Sequence, residues 1–520
     1  MENENHLGLQ PKCKKSTFPL VRFFSLFIQS KASLFYLLAL ALVLRITAAF
    51  LWNNFLLENQ TPTANLHDAS APTSLALEND GPFFYGDSDS YWKLARAIAF
   101  GRAYEFDELR RWQIFRTPGY PAILAPLFWI YGENPPVIAG RLQGALFGVL
   151  NVALIYYLTL FFFRKTSEAR AVAACVALYM VFDPTHILQC ISILSEESFM
   201  SFSLLLDILL LKLFHSIRLI TDDGTPIKDG TPSRANHAHT LLRKDALLLL
   251  LGLALTNAIS IYIRPSWFYF FPFAFLSSII WFCFQPCAFK EKIHRLISVS
   301  KSVFISFAFV LILTHLFLLP WGIRNYSLTG RYIVTSLQMG ASLYDGLNPS
   351  ATGASNMSFV DDFRKAEQNN PSSPQDEHFE VRLDRRLKDA ALQWANDNKL
   401  AVLSLGIKKL YSLWAPVPRE ATFRQPLLKY LLLTYYLPIF LLGIAGLLHS
   451  LICRRDEIFF AIPALYVTLL HTIFVASIRY RVPVFFGIVV LGVHFFFSTI
   501  LPYVKNHMRN IPLKENLNER

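Results

Sequence analysis

The fold class is decided by residues 32–52, ASLFYLLALALVLRITAAFLW, a mostly apolar run whose only charged residue is Arg45. An α-helix needs about 20 apolar residues to cross the hydrocarbon core of a bilayer, and this run meets that length. It is too long for the core of a signal peptide, and no small-residue cleavage site follows it closely. We therefore predict that it is the first transmembrane span.

The composition of the whole chain agrees with this prediction. Of its 520 residues 53% are hydrophobic and 17% are charged, whereas a soluble domain carries about 25% charged residues. These figures exclude a disordered chain, a fibrous repeat and a small disulfide scaffold. So much apolar surface could not all be buried in a soluble enzyme, and we predict an all-α polytopic membrane protein.

Further apolar segments follow along the chain, and with the first run they predict about ten transmembrane helices. These segments are 142–163, 168–183, 198–217, 246–263, 266–285, 303–320, 430–452, 458–478 and 482–503.

The positions of lysine and arginine predict the orientation of the spans. Basic residues predominate in every second loop and at both ends of the chain, as expected for segments retained in the cytoplasm. The net charge of +12 has the same explanation, although nucleic acid, anionic lipid or a phosphorylated substrate would also suit a basic protein. The predicted division is a basic cytoplasmic N-terminus (1–31), a transmembrane module (32–320), an outer-face segment (321–427), C-terminal transmembrane helices (428–503) and a cytoplasmic tail (504–520).

Two long segments are predicted to lie on the outer face, and both carry amphipathic or interfacial helices. In the first, 54–137, an irregular stretch precedes a helix over 89–100. Residues 119–132 are apolar but too short to cross a bilayer, which favours a helix in the membrane interface. In the second, 321–427, residues 376–395 place apolar side chains along one stripe, as in an amphipathic helix.

The polar stretch 219–243 is rich in Asp, Gly, Thr and Pro, which predicts a flexible connector on the inner side. None of the six cysteines falls in the two long outer segments, so no structural disulfide is expected there. His186, His315 and His471 have no metal-ligand spacing, which favours satisfied polar residues over ligands.

The most informative polar motif is Gly86-Asp-Ser-Asp-Ser-Tyr91 in the first outer segment. Two carboxylates two residues apart, Asp87 and Asp89, suit either metal coordination or a general base with a charged neighbour. The alternative is structural, because either aspartate could cap the helix that follows. Spacing alone favours capping.

Other polar residues at the predicted outer level also have two interpretations. Arg116 precedes a Pro-Gly turn and is either a lipid-headgroup arginine or part of a site. Glu196 and Glu197 lie at the outer mouth of a span, where they are either solvated residues at a helix start or acidic groups that face the first-segment aspartates.

Several arginines occur at the same predicted level, against the positive-inside bias: Arg264, Arg324, Arg479 and Arg481. Each alone could extend to lipid phosphates. Together they would form an anion site, because guanidinium makes bidentate and permanently charged contacts with phosphate. Arg324 is the best candidate, since it follows Trp321-Gly-Ile where the seventh span ends. Arg45, within the first span, is costly unless it reaches the rim or a cavity.

These motifs together resemble those of GT-C membrane glycosyltransferases. The nearest group is the bacterial branch of the protein O-mannosyltransferase family, which includes the lipid A aminoarabinose transferases. The resemblance covers roughly residues 35–490 and rests on the order of the motifs. The motifs are Asp87-Ser-Asp-Ser-Tyr91, Arg116-Thr-Pro-Gly-Tyr-Pro121, Leu194-Ser-Glu196, Pro320-Trp321 with Arg324-Asn325, Gly346-Leu-Asn-Pro-Ser-Ala-Thr-Gly353 and Arg479-Tyr-Arg-Val-Pro483.

The resemblance implies an enzyme that transfers a sugar from a polyprenyl-phosphate donor, with inversion, to a lipid, glycan or protein acceptor. It implies an active site on the outer face, which is periplasmic if the membrane is the bacterial inner membrane. Asp87 matches the family's proposed base. Ser88 stands where many relatives carry Glu, so the division of roles between Asp87 and Asp89 is open. The expected substrate-binding residues are Tyr91, Arg116, Glu196, Arg264, Arg324, Arg479 and Arg481.

The resemblance makes no cofactor certain. If a divalent metal takes part, Asp87, Asp89 and Glu196 are its candidate ligands. The expected partners are the lipid-linked donor, membrane lipids and the acceptor, with no nucleic acid.

Two other functions stay open at this stage. A flippase or transporter of a lipid-linked or anionic solute would use the arginines for phosphate, with Asp87 only capping a helix. Transporters commonly show inverted repeats and broken helices at mid-membrane. In this chain the polar residues cluster in the outer segments instead. A structural subunit of a glycan-assembly complex is the third option.

Overall fold

The computed structural model describes residues 30, 32–58, 83, 86–106, 112–222, 235–284, 289–368, 377–418 and 425–509. Within these ranges the regular structure is helical, and one isolated antiparallel bridge joins Phe106 to Trp112. The longer helices are α1 (Ser33–Glu58), α2 (Gly86–Ala99), α3 (Gly119–Tyr131), α4 (Val137–Phe162), α5 (Ala169–Phe182), α6 (Pro184–Ile191), α7 (Glu196–Asp222), α8 (Ala235–Ile263), α9 (Phe270–Phe284), α10 (Phe289–Thr329), α11 (Met339–Gly346), α12 (Phe359–Gln368), α13 (Phe379–Asp397), α14 (Lys399–Trp414), α15 (Pro426–Ile452), α16 (Ile462–Ile473), α17 (Ile478–Phe495) and α18 (Leu501–Arg509).

Helix α1 shows why the apolar runs belong in a membrane. One stripe at fourfold spacing, from Leu37 through Ala41 and Arg45 to Ala49, is buried against the rest of the bundle. The opposite face is equally apolar but exposed, and Phe35 keeps 70% of its surface accessible. A helix that is apolar all round and buried on one side only needs lipid for the other side. The prediction of an all-α, multi-pass integral membrane protein is confirmed.

Among the described residues, eight helical segments are long and apolar enough to span, against about ten predicted. A ninth is counted if α5 and α6, which meet at a bend of 58°, form one span. The bend lies at Pro184, and Asp183 caps α6 by accepting from the backbone N–H of Thr185 and His186. The predicted span at 266–285 corresponds to α9, which has 15 residues and is shorter than a crossing requires.

Several predicted boundaries differ from those observed. Helix α10 continues through Pro320 to Thr329, so the second outer segment begins with helix rather than loop. The connector predicted at 219–243 is shorter, because α7 extends to Asp222 and α8 begins at Ala235. Apolar periodicity marks the buried part of a helix, and polar extensions of the same helix lack that signal.

The first predicted outer segment contains the two expected helices. The helix predicted over 89–100 begins at Gly86, and it buries Leu94 and Ala95. Residues 119–132 form α3, which has 13 residues and is too short to cross a bilayer. Most of the stretch predicted to be irregular lies outside the described residues.

The two predicted outer segments pack together. Helix α13 has the expected apolar stripe, with Leu383, Leu387 and Ala391 fully buried. Trp112 of the first segment is buried against this stripe. The second segment therefore supports the loop that precedes Arg116.

A close backbone contact fixes the turn after Arg116. A Cβ added at Gly119 would collide with backbone atoms of Tyr262 and Ile263, at the end of α8. Glycine is therefore required where α3 approaches α8. This contact places the start of α3 directly beside the residue that follows α8, which is Arg264.

Candidate functional site

Asp87 lies in the first turn of α2, and its carboxylate bridges two arginines from distant parts of the chain. The Nη2 of Arg116 lies 2.5 Å from Oδ1, and the Nη2 of Arg479 lies 2.9 Å from Oδ2. The Asp87 side chain keeps 29% of its surface accessible. Its carboxylate thus makes two ion pairs, which the capping interpretation does not require.

The electrostatics of Asp87 follow from this geometry. Burial by itself would raise the pKa of the carboxyl, but the charges of Arg116 and Arg479 outweigh it and hold that pKa well below its usual range. Asp87 is therefore ionised throughout the physiological pH range.

Glu196 forms the second acidic centre of the site, and it is 1% exposed. Its Oε1 lies 3.0 Å from Nη1 of Arg264 and 2.7 Å from Nε of Arg479. Arg479 thus binds Glu196 through Nε and Asp87 through Nη2. The interpretation of Glu196 and Glu197 as solvated residues is wrong, because both are buried in the packing around the first turn of α7.

Arg116 is held in place by aromatic and polar neighbours. Its guanidinium stacks over the ring of Tyr91 at 5.1 Å, and Nη1 lies 3.4 Å from Oε1 of Gln338. The ring of Tyr91 in turn meets Tyr120 edge to face. Tyr91, expected to bind substrate, contributes here as the platform for Arg116, whose side chain is 12% exposed.

The backbone just before Arg116 is clamped from two sides. The Glu380 carboxylate accepts from the backbone N–H of Gln113 at 2.8 Å and from that of Ile114. Nη1 of Arg324 donates to the carbonyl of Gln113 at 2.8 Å. Burial raises the pKa of Glu380 to about 7, and the hydrogen bonds from the backbone N–H groups only partly offset that rise.

Two of the predicted arginines therefore have other contacts. Arg324 donates to the carbonyls of Gln113 and Tyr104 and stacks over Trp321 at 4.7 Å. Arg481 is 1% exposed and donates to the carbonyls of Leu413 and Ala415, at the end of α14. Asp89 is half-exposed and pairs with Lys93 at 2.8 Å, one turn along α2.

The charge balance of the cluster favours an anion. Three guanidinium groups, those of Arg116, Arg264 and Arg479, face two carboxylates, those of Asp87 and Glu196, which leaves one net positive charge. A divalent cation prefers carboxylate oxygens that are free of competing cations. Both oxygens of Asp87 face guanidinium groups. The set Asp87, Asp89 and Glu196 therefore does not fit a divalent metal in this arrangement.

Glu197, next to Glu196, enters a separate buried network. Its Oε2 lies 2.9 Å from Nε2 of His186, and it also accepts from Asn151. Nδ1 of His186 lies 2.7 Å from Nη2 of Arg45, which also donates to the carbonyl of Met180. Arg45 thus satisfies the last carbonyls of α5 and avoids the cost expected for a lone intramembrane charge.

This network is not a metal site, although His186, Cys190 and Glu197 lie close enough to suggest one. Because arginine can only donate, Nδ1 of His186 must accept from it. Nε2 then carries the proton and lies 2.9 Å from Oε2 of Glu197, so it has no lone pair for a metal. Nδ1 of His186 thus has a polar partner in Arg45, and Nε2 faces the Glu197 carboxylate.

Sequence reasoning missed Glu380, Gln338, Tyr104 and Tyr480. Tyr480 lies between Arg264 and Arg479, with ring distances of 5.6 and 5.2 Å to their guanidinium carbons. Its place between Arg479 and Arg481 was a usable signal. Glu380 had none, because a glutamate in the first turn of an amphipathic helix is ordinary.

No protein-family model and no curated protein matches this chain. Among solved structures it is similar to the archaeal oligosaccharyltransferase AglB from Archaeoglobus fulgidus, in complex with an inhibitory peptide and a dolichol-phosphate. The identity is 12% and the TM-score 0.47, over 92% of this chain and 52% of that one. The apo form of the same enzyme gives the same values. A form tethered with an acceptor peptide gives a TM-score of 0.44 at 12% identity, over 92% and 51%. This chain spans about half the length of those structures.

Proposed function

We propose that this protein is a membrane glycosyltransferase that takes a sugar from a polyprenyl-phosphate donor. The observation that carries the proposal is the cluster of Arg116, Arg264 and Arg479 around Asp87 and Glu196, with its surplus positive charge. Such a cluster suits a phosphate-bearing substrate that must be both bound and cleaved.

The charge of the donor complements the cluster. A sugar linked through one phosphate to a polyprenyl chain is a phosphodiester with a single negative charge, which would neutralise the surplus. Negative charge grows on the phosphate as the sugar leaves, and preorganised guanidinium groups stabilise that growth. Arg116, Arg264 and Arg479 are the residues to which we assign this role.

The position of the cluster supports a lipid-linked donor. Glu196 begins one spanning helix, and Arg479 lies in the first turn of another. The ends of spans lie near the level of lipid phosphates. A donor phosphate could react there while its chain stays in the bilayer.

Asp87 is the proposed base. Its carboxylate would take the proton of an acceptor hydroxyl while the oxygen of that hydroxyl bonds to the anomeric carbon. The bond from that carbon to the phosphate oxygen breaks at the same time, and the phosphate leaves with the electron pair. The attack comes from the face opposite the leaving phosphate, so the configuration is inverted. The acceptor would be a lipid, a glycan or a protein.

The reaction is assigned to the outer face of the membrane, periplasmic in a bacterial inner membrane. Reporter fusions test this topology directly. Fusions at positions 110 and 380 should read outside, and fusions at 230 and 510 inside. An outside reading at 230 would contradict the orientation.

The function itself is tested by incubating membranes that contain the protein with a panel of polyprenyl-phosphate sugars. Mass analysis of lipids, glycans and proteins should reveal an acceptor that gains a sugar. Asp87→Asn should express and fold normally but lose at least about 10²-fold in turnover. Movement of the donor across the membrane by the wild type, with no sugar transfer, would instead identify a flippase or transporter.

A further inference from the structure

Asp87, the proposed base, is ion-paired with two arginines in the structure. Both oxygens of the Asp87 carboxylate face guanidinium groups, at 2.5 Å from Arg116 and 2.9 Å from Arg479. These charges keep the pKa of Asp87 far below its usual range, against the effect of burial. A carboxylate with so low a pKa is a weak proton acceptor. Asp87, the residue best placed to act as the base, is thus held in a form that accepts a proton poorly.

Of the two carboxylates that Arg479 faces, one is buried and the other is accessible. Its Nε faces Glu196, which is 1% exposed and is also held by Arg264. Its Nη2 faces Asp87, whose side chain is 29% exposed. An incoming anion could therefore reach the Asp87 side of the guanidinium without disturbing the Glu196 side.

A donor phosphate would bind the arginines of the cluster through the same chemistry as the Asp87 carboxylate does. In a phosphodiester two oxygens on one centre share a negative charge, as they do in a carboxylate, and guanidinium binds both groups in the same forked geometry. Asp87 therefore occupies the arginines in the way that a donor phosphate would.

We propose that the donor phosphate replaces Asp87 as the partner of Arg116 and Arg479, while Glu196 keeps Arg479 in position. This inference rests on the proposed function and adds a sequence of events to it. Asp87 is released, and becomes an effective base, only when a donor occupies the cluster. The acceptor is then activated only in the presence of the donor.

The exchange makes opposite predictions for the two carboxylates of the cluster. Asp87 competes with phosphate, so Asp87→Asn should tighten phosphate binding. Glu196 anchors Arg479, so Glu196→Gln should weaken binding although it also removes a negative charge. Simple charge repulsion predicts tighter binding for both variants. The direction in which Glu196→Gln changes phosphate binding therefore distinguishes replacement of Asp87 by phosphate from simple charge repulsion.

The experiment measures binding of farnesyl phosphate to the full-length protein in nanodiscs by calorimetry, with farnesol as the probe that lacks phosphate. We expect Asp87→Asn to lower the Kd by about tenfold and Glu196→Gln to raise it by about tenfold. The matched control is Glu133→Gln, which removes an exposed carboxylate paired with Arg102 and should leave the Kd unchanged. Glu196→Asp, which keeps the charge and shortens the anchor, should also weaken binding and replaces Glu196→Gln if that variant does not fold.

The outcomes distinguish a failure of the proposed replacement of Asp87 by phosphate from a failure of the proposed function. Unchanged or weaker binding by Asp87→Asn, or tighter binding by a Glu196 variant, overturns the exchange and leaves the proposed function intact. Binding of farnesyl phosphate by the wild type that is no tighter than binding of farnesol overturns the phosphate site itself, and the proposed function with it.

Discussion

Glu196 and Glu197 are neighbours in the first turn of α7, yet they belong to two clusters of different character. Glu196 pairs with Arg264 and shares Arg479 with Asp87, in a cluster whose arginines are 12 to 20% exposed and which carries one surplus positive charge. Glu197 is linked through His186 to Arg45, and these residues are at most 2% exposed. The charges of Glu197 and Arg45 balance.

The difference indicates what each cluster does. A balanced pair closed off from solvent holds helices together and offers nothing to a ligand. An accessible cluster with unbalanced charge retains the capacity to bind an anion. Variants that disturb one cluster should therefore affect stability, and variants that disturb the other should affect activity.

The largest expected effect is a loss of stability when the buried network of Arg45, His186 and Glu197 is disturbed. Arg45→Met leaves Nδ1 of His186 buried without its donor and removes the charge that balances Glu197 through His186, and removing one charge of a buried, balanced network costs up to about 3–5 kcal/mol of unfolding free energy. Unfolding in detergent micelles by a denaturing surfactant measures this loss. The double variant Arg45→Met with Glu197→Gln should recover part of it. Wild-type stability of the single variant would show that the network does not hold the helices.

The second effect compares two arginines that are two residues apart. Arg479→Lys should lower turnover by about 10²-fold, because lysine cannot face Glu196 and Asp87 together, while thermal stability stays near wild type. Arg481→Lys is the matched control, since its guanidinium donates to carbonyls at the end of α14. It should lower the melting temperature more than Arg479→Lys does. The reverse pattern would exchange the roles of the two residues.

The third effect concerns the clamp that supports Arg116. Burial raises the pKa of Glu380 to about 7 from an ordinary value of 4.5, so the folded chain holds a proton there that the unfolded chain has lost. The stability that this carboxyl contributes is fully present below about pH 4.5 and is lost as the pH rises through about 7.

From pH 5 to pH 8 the free energy of unfolding of the wild type should therefore fall by on the order of 2 kcal/mol relative to that of Glu380→Gln, whose side chain does not titrate. Surfactant unfolding at the two pH values measures the difference. Glu133→Gln, at an exposed site, serves as the control and should follow the wild type. Parallel behaviour of wild type and Glu380→Gln would contradict the raised pKa.

The smallest effect is expected at Asp89, which the sequence leaves open as the alternative base to Asp87. Its pair with Lys93 is about half exposed, and such pairs contribute at most a few tenths of a kcal/mol. Asp89→Asn should change turnover by less than about threefold, far less than Asp87→Asn. A dead Asp89→Asn beside an active Asp87→Asn would transfer the role of base to Asp89.

The sequence predicted the helices well where one face is apolar over several turns, as in α1 and in the stripe of α13. Residues of the cluster could also be named, because charged groups near the ends of apolar runs are rare enough to notice. Their partners could not be named. Asp87 and Arg479 are separated by 392 positions, and no local pattern records that they meet.

Two questions that the sequence left open have a common physical cause. Arg479 and Arg481 look equivalent in sequence, but residues two apart on a helix point to nearly opposite sides, and only tertiary packing decides which side faces the site. For Glu196 and Glu197 a solvated position stayed open beside a place in the site, because acidic residues at a helix start are commonly exposed. The chain at α6 folds back against them, and a bend of this kind leaves only a proline as its local signal.

The contact between Gly119 and the backbone of Tyr262 and Ile263 has a consequence for how the cluster keeps its dimensions. Arg116 lies three residues before this contact on one strand of chain, and Arg264 lies directly after it on the other. The separation between the two backbone segments that carry these arginines is thus set by main-chain atoms touching main-chain atoms. This backbone separation does not adjust to the ligand. A molecule that binds both arginines meets side chains that extend from two backbone segments at a fixed separation, so inhibitors for this cluster should be rigid.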